Sequence, residues 1–442
     1  MTILSAAILA TPSSTNAQVG SPAGPVPVER LQARRSALLA KLGIGVAVIS
    51  SAQVRSIEGD YPQDSDYREH NNFFYLTGLE APGAWLVLVA RKSGRDQATL
   101  YLPARDSTME KWTGPRLGPG TEASRLTGIT DVRPADKAET EISGLVLDAG
   151  SPARAGAVYL SEQPRQDSES LRASLLRDGR RGRPIRVENL DPVIARLRLV
   201  KDPDELSRLR HGIEITADAL KESMRVARPG MWEYELEAII EYTFRRNGAE
   251  RVGFPSIVAS GPNAVTLHYD ENRRQVQPGE LVVEDVGAEF GYYSADMTRT
   301  IPISGSFTPR QRALYDLVLG TQQAAIDSVR PGTNLAALNR IARTYMRDHS
   351  GDLCGSDSCV PHFTHGLSHW LGMDVHDVGP FGARLEPGMV LTVEPGIYLP
   401  SEGVGIRIED DVLVTSGGHE VLSRAAPRSV EEIEQTMAHR VP

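Results

Sequence analysis

Apolar residues between Val28 and Leu42 fall at Leu31, Leu38, Leu39 and Leu42, the spacing of one helical face, and Gly43 and Gly45 end that helix before an apolar run at Val46–Ile49 that reads as a strand. A second run, Ala84–Ala90, reads as another strand. Between them the segment Asn72-Phe73-Phe74-Tyr75-Leu76-Thr77-Gly78 reads as core, because clustered aromatic side chains bury. Helix and strand signals alternate as far as about Arg186, an α/β pattern with no chemical motif of its own. A boundary is expected near Val200, where Asp202-Pro203-Asp204-Glu205 forms a helix start: Asp202 caps, Pro203 occupies the first turn and Glu205 reaches back. Leu206, Leu209, Ile213, Ala217, Leu220 and Met224 then mark the buried face of a long helix, on which His211 is a surface or packing residue.

Beyond that helix the pattern repeats. Arg228-Pro229-Gly230 leads into a helical pattern through Arg245, and Arg330-Pro331-Gly332, displaced by 102 residues, leads into another through Arg347. Pro278-Gly279-Glu280-Leu281-Val282-Val283-Glu284-Asp285 is echoed by Pro387-Gly388-Met389-Val390-Leu391-Thr392-Val393-Glu394. Each copy has a turn, a β-rich run and a carboxylate six residues after the glycine. Asp285 and Glu394 are therefore equivalent positions of two half-domains, and each half carries a further acid downstream, Asp296 and Glu409. Two duplicated α/β units packed about a pseudo-twofold axis bring these acids to a common centre. Unpaired carboxylates in a β-core are costly, and metal compensates them.

Composition narrows the partners. The 442 residues suffice for two domains, and a net charge of −9 argues against a nucleic-acid surface. No internal run approaches the roughly 20 apolar residues of a membrane span. At the N-terminus, a short apolar stretch from Ile3 to Ala10 and small residues at Thr15 and Ala17 suit signal cleavage after Ala17, although no Lys or Arg precedes the stretch. The expectation is an exported, periplasmic protein, with a cytoplasmic one carrying an N-terminal extension as the alternative. Ser21–Pro27 reads as a linker, which gives a leader and linker over 1–27, an N-terminal α/β domain over 28–195 and a second domain over 200–442. The two cysteines, Cys354 and Cys359, lie in a Gly/Ser/Asp loop. In an exported protein a disulfide is their simplest reading. A zinc site with His362 lacks a fourth ligand nearby, and two free thiols are the third possibility.

The candidate chemistry lies in three stretches of the second domain. In Val282–Thr300, two β segments joined through Gly291 place Asp285 and Asp296 side by side across a hairpin. His365-Gly366-Leu367-Ser368-His369-Trp370-Leu371-Gly372-Met373-Asp374-Val375-His376-Asp377 holds three of the chain's ten histidines, and the absence of a G-x-S-x-G elbow weighs against Ser368 as a nucleophile. Gly403–Asp410 reads as a strand on which Arg407 and Glu409 share a face, Glu409 reaching the centre and Arg407 at the rim, with Asp410 and Asp411 as solvated or turn residues. Asp285, Asp296, Glu394 and Glu409 with the imidazole of His369 make a donor set for two hard divalent cations, favouring Mn²⁺, with Co²⁺ or Zn²⁺ able to substitute. These residues point to a dinuclear metallohydrolase.

In this order the three motifs resemble the aminopeptidase P and prolidase family, the proline-specific members of the "pita-bread" metallopeptidases, and HGLSHWLGMDVHD is more similar to aminopeptidase P. The resemblance is specific over Val200–Glu420 and extends more weakly, through YREHNNFFYLTG and EKWTGPRLG, into a smaller creatinase-type domain. It implies a metal-dependent aminopeptidase acting on peptides with proline in second position, in which a hydroxide between the metals attacks the amide before proline. Asp285 would hold one metal, His369 and Glu394 the other, and Asp296 and Glu409 would bridge them. The resemblance further makes Glu394 the proton carrier and matches His268 and His376 to active-site histidines, His376 assisting the substrate carbonyl. His365 and Arg407 match residues lining the site. A homodimer or homotetramer is implied as well. The alternatives that remain are prolidase, a creatinase-like amidinohydrolase and a catalytically silent binding module of the same fold.

Overall fold

The computed structural model describes residues 22–54, 67–92, 96–148, 151–162, 173, 185–355 and 358–439, so the signal-like leader lies outside the described residues. The chain divides into two compact units, Met1–Asp191 and Pro192–Pro442.

The first unit is built on strands β1 (Gly45–Ser50), β2 (Trp85–Ala90), β3 (Gln97–Leu102), β4 (Asp131–Pro134), β5 (Ala157–Leu160) and β6 (Val187–Asn189), in the spatial order β4-β3-β2-β1-β5-β6. β1 runs antiparallel to β2 and parallel to β5, so the sheet is mixed. Val46, Val48, Val87 and Val89 project from adjacent strands onto Ile142 and Val146 of the helix Ala138–Leu147. The predicted helix is present as Val28–Leu42, with Leu31, Leu38, Leu39 and Leu42 buried. The aromatic segment is a seven-residue helix, Asn71–Thr77, buried at every position.

In the second unit the helix Pro203–Val226 opens on the expected cap: the Asp202 side chain accepts from the Asp204 and Glu205 amides, and Glu205 accepts from the Asp202 amide. Its strands are β7 (Arg251–Val252), β8 (Ile257–Ser260), β9 (Leu281–Val286), β10 (Ala288–Phe290), β11 (Tyr293–Ser294), β12 (Met297–Pro302), β13 (Val390–Val393), β14 (Gly396–Leu399), β15 (Val404–Arg407), β16 (Asp410–Thr415) and β17 (Gly418–Val421). They form the sheets β12-β9-β8, β11-β10-β7, β13-β16-β17 and β14-β15.

The duplication extends to individual hydrogen bonds. The Gly230 amide donates to Val276 O and the Val276 amide to Met231 O; in the other half, Gly332 donates to Leu385 O and Leu385 to Thr333 O. Gly230 and Gly332 have φ of 89° and 88°, a left-handed conformation that costs a glycine little. Each half thus clamps the entry to its helix, Glu233–Arg246 or Leu335–His349, against the turn before its acid-bearing strand, β9 or β13.

Two expectations change. Gly403–Asp410 is not one strand: β15 pairs with β14 and ends at Arg407, whereas β16 pairs with β13 and starts at Asp410. The chain changes sheets at Ile408-Glu409, which brings the Glu409 amide to Thr298 O of β12. Asp410 and Asp411 are neither solvated nor in a turn; both are fully buried on β16. Asp410 pairs with Arg299 at 2.8 Å, and both are inaccessible. The structure joins Cys354 to Cys359 as a disulfide, which removes the zinc and free-thiol alternatives.

Candidate active site

β9 and β12 are antiparallel with Thr298 opposite Asp285, so Asp296 lies one alternation away on the same face. The two acids are therefore diagonal rather than directly opposite. The hairpin that joins them turns at Gly291-Tyr292, both with positive φ. From the other half, His369 reaches in from the segment bridged to β13 at Trp370–Leu391, Glu394 follows the last residue of β13, and Glu409 sits at the change of sheets. Asp296, His369 and Glu409 offer ligand atoms that all lie within 4.8 Å of one another.

His369 shows what the cluster lacks. Its Nδ1 lies 3.0 Å from Trp370 O. A carbonyl only accepts, so Nδ1 carries the proton and Nε2 presents a lone pair. That lone pair is 3.2 Å from Asp296 Oδ2, 3.5 Å from Glu394 Oε1 and 4.0 Å from Glu409 Oε1. Burial lowers the imidazole pKa to about 4, so protonation does not relieve the opposition. Asp285 Oδ1 and Glu409 Oε1 are buried and accept no hydrogen bond among the described residues. Burial, and after it the neighbouring acids, pushes the Asp296 and Glu409 carboxyls well above their ordinary range. Burial takes Glu394 to about 8. Lone pairs and orphaned carboxylate oxygens converging on one dry centre fit divalent cations.

Arg407 is 4 % exposed, which corrects its expected place at the rim. It donates to Asp285 Oδ2 at 2.6 Å, to Thr298 Oγ1 at 3.1 Å and to the Tyr398 hydroxyl at 2.9 Å. The Thr298 hydroxyl in turn donates a hydrogen bond to Glu409 Oε2 at 2.7 Å. Tyr398 lies 2.8 Å from His365 Nε2, which accepts from it because His365 Nδ1 faces Gly366 O. Burial, followed by the Arg407 charge, lowers the His365 pKa to about 4 and keeps that acceptor free. One guanidinium thereby orients acids from both halves.

Sequence reading missed Thr298 and Tyr398. Strand alternation carried the signal, since Thr298 and Thr300 follow Asp296 at a period of two and Tyr398 follows Glu394 with the same parity. Asp411, on β16, also faces the cluster, where its Oδ2 accepts from the Asp296 amide at 3.3 Å.

His376 and His268 stand on the open side, the His376 ring 4.1 Å from His369 and 6.4 Å from His268. Asp377, next to His376, fixes that loop: its Oδ1 is 2.5 Å from Arg198 and its Oδ2 is 3.1 Å from Lys201, all three buried. Burial alone would raise the Asp377 carboxyl, but Arg198 and Lys201 outweigh it and hold it below the ordinary range. A depressed carboxyl contributes stability that is complete above the unfolded value of about 3.9 and drains away as pH falls through the folded one. Asp377→Asn is therefore expected to flatten the fall in urea midpoint below about pH 4; an unchanged acid limb contradicts the linkage.

Residues 207–416 match the model of metallopeptidase family M24, and residues 31–151 match the aminopeptidase P N-terminal domain. The Xaa-Pro aminopeptidase of Escherichia coli K12 is 36 % identical over 92 % of this chain and 97 % of its own. Xaa-Pro aminopeptidase 3 of Rattus norvegicus is 33 % identical over 88 % and 80 %. The structure of zinc-substituted E. coli aminopeptidase P in complex with product superposes with a TM-score of 0.86 at 35 % identity, covering 95 % of this chain and all of that one. These likenesses span both domains, and they favour Xaa-Pro aminopeptidase over the prolidase, amidinohydrolase and silent-module alternatives. The chain belongs to the Xaa-Pro aminopeptidase family, metallo-exopeptidases with a dinuclear M24 "pita-bread" catalytic domain behind an aminopeptidase P N-terminal domain.

Proposed function

We propose that Asp285, Asp296, His369, Glu394 and Glu409 hold the two divalent cations of this Xaa-Pro aminopeptidase, and that the enzyme acts on tripeptides and longer peptides with proline in second position. The opposition of the His369 Nε2 lone pair to the carboxylates of Asp296, Glu394 and Glu409 carries the ligand assignment, and the buried, unsatisfied Oδ1 of Asp285 adds the fifth member. Four carboxylates and one imidazole favour Mn²⁺ over zinc, which prefers more nitrogen or sulfur. Bound there, the cations supply Lewis acidity and an activated water at neutral pH.

The chain's own residues do the rest. Arg407 holds Asp285 from behind through its 2.6 Å bond to Oδ2, which leaves Oδ1 for the centre. Glu394, the least buried of the four acids, takes the proton from the attacking water and delivers it to the proline nitrogen, a tertiary amide that leaves only when protonated. His376 and His268, on the open side, donate to the carbonyl oxygen as charge develops, and loss of such a donor typically costs about 10²–10³ in kcat. The disulfide supports the export read from the leader, since such bonds persist in oxidising compartments.

Chelated enzyme is expected to be inactive and to recover with Mn²⁺, binding two equivalents by metal analysis. It is also expected to turn over Xaa-Pro-Xaa tripeptides faster than Xaa-Pro dipeptides. A strict dipeptide preference overturns the substrate reading, and one bound equivalent overturns the ligand set.

A further inference from the structure

Residues 261–273 form the loop that carries His268, and it hangs on one buried carboxylate. Glu233, the first residue of the helix Glu233–Arg246, is completely inaccessible. Its Oε1 accepts from the Ser260 amide at 2.8 Å, the Ser260 hydroxyl at 2.7 Å and Asn263 Nδ2 at 3.1 Å. Its Oε2 accepts from the Tyr269 hydroxyl at 2.8 Å and the Arg274 amide at 2.8 Å. Ser260 stands before the loop, Arg274 after it, and Asn263 and Tyr269 within it. Every partner is a donor, a set that an acceptor-only carboxylate satisfies and an amide does not. The helix N-terminus adds a favourable dipole.

The loop has a second seat on the site itself. A Cβ on Gly405 of β15 would lie 1.9 Å from Ala264 O, so only glycine lets this loop rest directly on the strand that ends at Arg407. Tyr269 packs against Ile257, Ala259, Ala264 and Val283, and its hydroxyl ties the residue following His268 to Glu233. His268 itself is exposed, its ring 6.4 Å from that of His376.

We propose that Glu233, acting through Tyr269, is a positioning residue that sets His268 against the substrate carbonyl. This rests on the role given to His268 above. Displacements of about 1 Å in a catalytic group cost on the order of 10²-fold, so loss of one tether of this loop is expected to cost roughly tenfold.

The test is a double-mutant cycle on the Mn²⁺-loaded enzyme with an Xaa-Pro-Xaa tripeptide, using Tyr269→Phe, His268→Ala and the pair. Tyr269→Phe is expected to lower kcat by roughly tenfold with KM little changed, the pattern of a lost transition-state interaction. In the His268→Ala background the same substitution is expected to cost less than about twofold, because the group it positions is gone. Metal content and thermal midpoint should match the parent enzyme. Glu233→Gln, which sets an amide NH₂ against donors, should reproduce the pattern if Tyr269→Phe proves poorly soluble. Equal losses in both backgrounds, or no loss in either, overturn the proposal. Full activity in His268→Ala alone overturns it at a different point, by removing the role of His268.

Discussion

His369→Ala and Glu394→Ala are expected to lower kcat on an Xaa-Pro-Xaa tripeptide by about 10³-fold or more while leaving the chain folded. For Glu394→Ala the loss matches removal of a proton carrier, typically worth about 10²–10⁴-fold. For His369→Ala it follows from losing the nitrogen donor that Trp370 O orients toward the centre. The expected stability change separates these roles from a structural one. Without metal, Asp296, Glu394 and Glu409 repel one another in a dry pocket, so the chelated Glu394→Ala variant should unfold at the same or higher urea concentration than chelated parent enzyme. With metal, the order reverses, because ligand binding stabilises the native state in proportion to its affinity. Turnover retained by either variant removes the assignment, and destabilisation of the chelated Glu394→Ala variant makes the residue structural.

Arg299→Met is expected to destabilise the second unit by about 3–5 kcal/mol, the usual result of breaking one side of a buried ion pair. Arg299 donates to Pro427 O, Thr298 O, Glu409 O and Asp410 Oδ1 at 2.6–2.9 Å. Substitution leaves those carbonyls short of a donor and leaves Asp410, already inaccessible, with Arg428 at 3.4 Å as its remaining cation. Thr298 and Glu409 are the backbone positions behind the cluster, so weakened metal binding should accompany the stability loss. Urea unfolding with metal titration reads both; a change below about 1 kcal/mol contradicts the role given to this pair.

The acids, the imidazole and the duplication were legible because each combines a costly residue type with a recurring position: Asp285 and Glu394 recur six residues after glycines with matching surroundings. The cap at Asp202 was legible because it is local. Arg407, Asp410 and Asp411 were misplaced for a shared reason. Charge in a sequence suggests exposure, whereas these three are buried by partners distant in the chain, Asp285 for Arg407 and Arg299 for Asp410. Strand parity alone would have turned Asp411 inward and Asp410 outward. No local pattern announces the change of sheets at Ile408-Glu409. Glu233 was equally hidden, because at the start of a helix a glutamate looks like a favourable dipole contact and its five donors come from another segment.

The mirrored clamps at Gly230–Val276 and Gly332–Leu385 bear on descent as well as architecture. Two halves that repeat the same turn-to-turn hydrogen bonds carry the mark of a duplicated unit, so both helix entries are held by one and the same device. The device is shared but the acids are not seated alike: Asp285 lies inside its strand and Glu394 just past the end of its own, so the pocket has an anchoring side and a proton-handling side.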